Sequence, residues 1–136
     1  MAIASSYIEM IRCVLTRVPM RYEQVVLALK RERDLLQKII SISEHHLKLM
    51  EGGDTDVFEN FWPVLARPME ELAEIEKEVD IGLAQLEEQH VLSPEARQEI
   101  EFWSTAISEL ATRLACIDNR MTSLSDSRDS RLRKSI

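Results

Sequence analysis

Two adjacent histidines, His45 and His46, and the spacing Glu87-x-x-His90 are the residues of this sequence best suited to hold a metal ion. Neighbouring residues on a helix project about 100° apart, so His45 and His46 cannot share one ion without distortion. His46 also falls on an apolar seam, where a partly buried histidine is the simpler reading. Glu-x-x-His occurs twice in four-helix di-iron proteins, alongside two further inward glutamates. Here it occurs once, at a helix end beside a loop. Cys13 and Cys116 are too few and too far apart in sequence for a zinc site or a disulfide framework, and both are expected to be reduced thiols. The sequence holds no Gly-rich phosphate loop, Ser–His–acid arrangement or paired-cysteine motif. These residues predict a protein that is not an enzyme and that uses no cofactor and no metal. A metal or small-molecule site inside a helical bundle is the chemical alternative.

The remaining charged residues point to surfaces. Glu70, Glu71, Glu74, Glu76, Glu78, Asp80, Glu87 and Glu88 form an acidic run that reads as a solvated helix face and can also attract a basic partner. Glu32 and Arg33 interrupt apolar layers, where a polar layer can set helix register. Residues 125–136 are serine-rich and locally basic, with Leu132 and Ile136 four apart among Arg128, Arg131, Arg133 and Lys134. As a helix this stretch presents a small apolar edge to a partner; alone it is expected to be a flexible tail. A net charge of −7 argues against a general nucleic-acid binder, which needs a basic surface to neutralise phosphates.

The elements that position these residues are helices. Charged residues make up 30% of the 136, aromatics 5%, and there are only three glycines, a profile of long helices rather than of a sheet sandwich. From Met20 to Gln89 the chain reads as a helical hairpin folded at Glu51-Gly52-Gly53-Asp54. Before the fold, Val26, Leu29, Arg33, Leu36, Ile40, Ser43, Leu47 and Met50 alternate by three and four, and after it Phe58, Phe61, Leu65, Pro68, Leu72, Ile75, Val79, Gly82 and Leu86 do the same. Such spacing keeps one stripe of a helix on a partner, so the two stripes read as an antiparallel pair. A second stripe, Val25, Ala28, Leu35, Ile39, Ile42 and Leu49, widens the apolar arc of the first helix and predicts a bundle over a two-stranded coil.

Further signals mark the ends. Gly52 and Gly53 can both take the left-handed cap conformation, and Asp54 or Thr55 can cap the next helix. Pro63 and Pro68 remove backbone donors early in that helix and predict a bend. Ser93-Pro94-Glu95 is a helix start, with Ser as cap. The last helix carries Ile100, Trp103, Ile107, Leu110, Leu114, Ile117, Met121 and Leu124, all apolar. Near the N-terminus, Ser6 to Glu9 has capping-box spacing, and Ile8, Ile11, Leu15 and Val18 form a short stripe up to Pro19. Either a separate short helix or a kinked continuation into the next one fits that pattern. No basic start followed by an apolar run opens the chain, and no stretch is apolar for long enough to span a bilayer, so a cytoplasmic protein without a membrane span is expected. The reading is an all-α fold: an elongated antiparallel helical bundle or coiled coil of three long helices plus a short N-terminal helix. Residues 1–124 form the bundle and 125–136 the tail.

The hairpin resembles the FlgN/FliT-type flagellar export chaperones of bacterial type III secretion. The residues that carry the resemblance are Glu-Arg-Asp-Leu-Leu at 32–36, the hinge and helix start from Met50 to Glu59, and Arg67-Pro-Met-Glu-Glu-Leu72. It covers roughly residues 22–124, and Pro63, Pro68 and the segment before Pro19 depart from the simplest family pattern. The resemblance implies a protein partner, a secreted flagellar subunit whose terminal helix is bound before export. It implies client contact in the C-terminal helical region, here Ile117, Met121, Leu124 and Leu132. A structural or adaptor coiled coil whose seams serve homodimerisation is the alternative.

Overall fold

The computed structural model describes residues 21–54, 57–89 and 92–134. They form three long helices packed together, α1 (Tyr22–Glu51), α2 (Val57–Gln89) and α3 (Pro94–Lys134), with no strand among the described residues. The expected N-terminal helix lies outside the described residues. Arg21 is extended (φ −65°, ψ 151°), so α1 starts afresh at Tyr22 instead of continuing an earlier helix. The Gln24 side chain accepts a hydrogen bond from the Arg21 amide at 3.0 Å, filling part of the free N-terminal donor set.

At the hinge only Gly53 is left-handed (φ 88°), while Gly52 sits at φ −78°. The amides of Gly52 and Asp54 donate to the carbonyls of Lys48 and Leu49, closing the last turn of α1. Pro63 and Pro68 lie inside α2, which continues as one helix through both. Pro68 is buried on the seam. The Ala96 amide donates to Ser93 Oγ at 3.1 Å, so the cap of α3 forms as the sequence predicts. Past Leu124, where the apolar repeat stops, α3 runs on to Lys134. The stretch expected to be a loose tail therefore has helical backbone over most of its length, as its lack of Gly and Pro permits.

The core is one cluster with α1 at its centre. Ten residues of α1 are buried, from both of its stripes: Val25, Val26, Ala28, Leu29, Glu32, Leu35, Leu36, Ile39, Ile40 and Ser43. Every seam position of α2 from Phe61 to Leu86 is buried. The two stripes of α1 serve different neighbours. On the second, Leu35 borders Ile75, and the His46 ring lies 4.8 Å from that of Phe61, both on α2. On the first, Arg33 stacks 4.5 Å from the Trp103 ring of α3. The three-four stripe read as half of the hairpin seam thus faces α3 at that point, and the hairpin partner takes the other stripe. Glu44 pairs with Arg113, and Glu51 with Arg120 at 3.5 Å. Both pairs are 69 residues apart in sequence, so α3 runs parallel to α1 in a fixed register.

Each outer helix packs on α1, while among the described residues no Cα atom of α2 lies within 8 Å of one of α3.

Candidate partner-binding surface

Two regions of this frame can receive a partner. The first is the C-terminal half of α3. Ile117 and Met121 are buried, 8% and 4% exposed, within the chain's own core. Leu124 is half-buried, and Leu132 lies in the helical backbone of the last turns, its side chain outside the described residues. Asp118 is exposed, and partial desolvation by its neighbours raises its carboxyl above its ordinary value, one turn before Met121. The Arg120–Glu51 pair marks the level at which α1 ends. From Met121 to Lys134, α3 continues for about 20 Å at 1.5 Å per residue, beyond any described part of α1. The four residues implied by the resemblance therefore divide: two face the core at the level of the hinge and two lie on the extension.

The second region lies between α2 and α3. On the α2 side, Trp62 is 59% and Met69 42% exposed; they stand seven residues apart, on the same flank as Leu83. Ala111 and Ala115 are exposed on α3. At the lower end, an open cleft of about 530 Å³ is lined by Leu83, Leu86 and Glu87 of α2 and by Leu92, Arg97, Ile100 and Glu101. Trp62 and Met69 were not legible as surface residues, because each is apolar and stands one position beyond a seam residue.

The charged residues sort clearly. All members of the acidic run are exposed, the solvated face that the sequence indicates. Glu32 is 7% exposed. Arg33 is not its partner: it pairs with Asp34 at 2.7 Å and, with Lys30, covers the face of Trp103. Burial, then the nearby carboxylates of Glu76 and Asp80, push Glu32 from an ordinary 4.5 up to about 6. A raised carboxyl pKa means that the folded state prefers the proton. The resulting penalty is absent below about 4.5 and grows as pH rises through about 6. Its size is on the order of 1–2 kcal/mol. Glu32→Gln should therefore raise the midpoint of thermal unfolding at pH 7.5 and leave it nearly unchanged at pH 4.5. An equal shift at both pH values would show that Glu32 stays ionised across the range.

The histidines have structural surroundings. His46 Nδ1 lies 2.8 Å from the Ile42 carbonyl oxygen and its ring packs on Phe61, while His45 is exposed. His90 lies outside the described residues. Among the described residues no group of three or more His, Cys, Asp or Glu is placed to hold a metal ion, and no helix is long and apolar enough to cross a membrane. Cys116 is exposed, with a free thiol. No family model, curated protein or solved structure matches the chain.

Proposed function

We propose that the chain is a non-enzymatic cytoplasmic chaperone that holds an amphipathic helix of a secreted client, with the C-terminal part of α3 as the contact. What supports the reading is the extension of α3 past the end of α1, with Leu124 half-buried at its base. A helix longer than its neighbours offers an edge along which another amphipathic helix can lie, hiding apolar surface that otherwise aggregates. The family resemblance makes the client a flagellar hook-associated or filament-cap subunit. In this reading Leu124 and Leu132 are the residues the client reaches first, and Ile117 and Met121 support them from within.

The test compares the full chain with a version ending at Leu124, each titrated with synthetic terminal helices of such subunits. The full chain should bind at micromolar concentration and the shortened one at least about tenfold more weakly, a difference of about 1.4 kcal/mol. Equal binding by both would move the contact into the bundle. No binding by either would overturn the reading.

A further inference from the structure

One flank of α2 is apolar for three turns and then becomes acidic. Trp62, Ala66, Met69 and Ala73 follow the same three-four alternation as Phe61, Leu65, Pro68 and Leu72, one position later. The first set is exposed and the second is buried. We propose that this exposed strip docks a basic amphipathic helix of a partner protein, about three turns long.

Geometry makes the strip a docking surface. Trp62 keeps 59% of its surface in solvent, yet its ring stands edge-on against the buried Phe61 at 5.5 Å, and Phe61 packs in turn on His46. A ring already held in place loses little freedom when a partner covers it, and tryptophan is prominent among the residues that carry binding energy. The alanines between the two large side chains leave recesses in which a second helix can set its own apolar residues. From Trp62 to Ala73 the strip is about 16 Å long at 1.5 Å per residue.

Charge selects the occupant. On the other flank of α2 carboxylates are matched within the chain: Arg67 pairs with Glu71 at 3.5 Å, and Arg31 of α1 with Glu78 at 3.7 Å. Along the strip they are not. Glu59 and Glu70 border it, and Glu76 and Asp80 continue its alternation. All four are exposed, and among the described residues no cation, Lys77 included, lies within 4 Å of any of them. Glu76 and Asp80 also act inward, adding to the upward shift of Glu32. Lysine or arginine beside the apolar face of a helix meets this unmatched charge. A second copy does not, because two strips paired antiparallel about their midpoint set Glu59 of each chain against Glu76 of the other. Anionic lipid and nucleic acid are repelled on the same ground. The strip lies on α2, so this docking is separate from what the end of α3 binds.

The test uses the full chain with Trp103→Phe, which leaves Trp62 as its only tryptophan. The probe is a synthetic leucine–lysine helix with leucine at i, i+3, i+4 and i+7, and the control is the same peptide with glutamate for lysine. The lysine peptide should move Trp62 emission to shorter wavelength, with half-saturation at micromolar concentration, and the control should not. Ala66→Glu, at an exposed position, should leave the unfolding midpoint in place and weaken binding at least about tenfold. Glu76→Gln with Asp80→Asn should weaken it severalfold and flatten its salt dependence. Ending the chain at Leu124 should change nothing. An unmoved Trp62 spectrum, equal binding of the glutamate peptide, or binding that survives Ala66→Glu would overturn the proposal. So would binding lost with the residues after Leu124, which would place the peptide on α3. Twice the monomer mass in light scattering, returned to the monomer by Ala66→Glu, would also overturn it, because a second copy would then occupy the strip.

Discussion

Truncating Leu29 to alanine is expected to lower the unfolding free energy by about 2–5 kcal/mol, and the same change at Leu110 by only about 1 kcal/mol. Both residues stand on regular three-four stripes, so the sequence ranks them equally. Their surroundings differ. Leu29 is 2% exposed in α1, the one helix with a neighbour on each flank. Leu110 is half-buried, because α3 meets α1 but not α2 at that level. The loss at Leu29 combines apolar transfer with the cavity left behind, whereas at Leu110 solvent and mobile neighbours fill the gap. Urea unfolding of the two variants, compared at equal slope, measures the difference. Equal losses would mean that α3 is covered along its length by something other than α1.

Replacing Ser43 by alanine should have the opposite sign and stabilise the protein by about 1–2 kcal/mol. Ser43 is 0% exposed, and its hydroxyl has no hydrogen-bond partner among the described residues. Serine in a helix usually shares its proton with the carbonyl one turn back, which offsets part of the desolvation cost; that bond is not made here. Alanine fills nearly the same volume, removes the unmet hydroxyl and has the higher helix propensity. The check is the denaturation midpoint of Ser43→Ala. A fall of more than about 0.5 kcal/mol would show that the hydroxyl is bonded in solution, to water or to a group outside the described residues.

Much of the architecture could be read from residue spacing. The apolar repeat of α2 gives its buried face without an error among the described positions, and Ser93 caps α3 as its type and place require. What spacing cannot give is the assignment of faces to partners. Val26 and Val25 differ by one position, and either stripe of α1 satisfies a hairpin equally well. The choice depends on the splay between α2 and α3, a property of three helices together. The same limit explains Arg33. Its place in the stripe suggests a polar layer with Glu32 that sets register, but an aromatic face on α3 competes, and a guanidinium spread over Trp103 keeps its hydration while covering apolar surface. The extension of α3 was hidden for another reason. Residues 125–134 have no apolar repeat, so only propensity speaks for a helix, and propensity without packing is a weak signal. For the candidate site, the implied residues Ile117 and Met121 carry the seam period, and period marks burial in the chain's own core as readily as contact with a partner.

The position of α1 between the other two helices makes the molecule a book with α1 as its spine. The leaf formed by α2 closes over a short glycine turn. The leaf formed by α3 closes against the same spine through ion pairs that are 69 residues apart in the chain. The two leaves meet along the cleft from Leu83 to Ile100, near the start of the spine. Ile117 and Met121 lie at the other end, so lifting that end of α3 would uncover them together with the first stripe of α1.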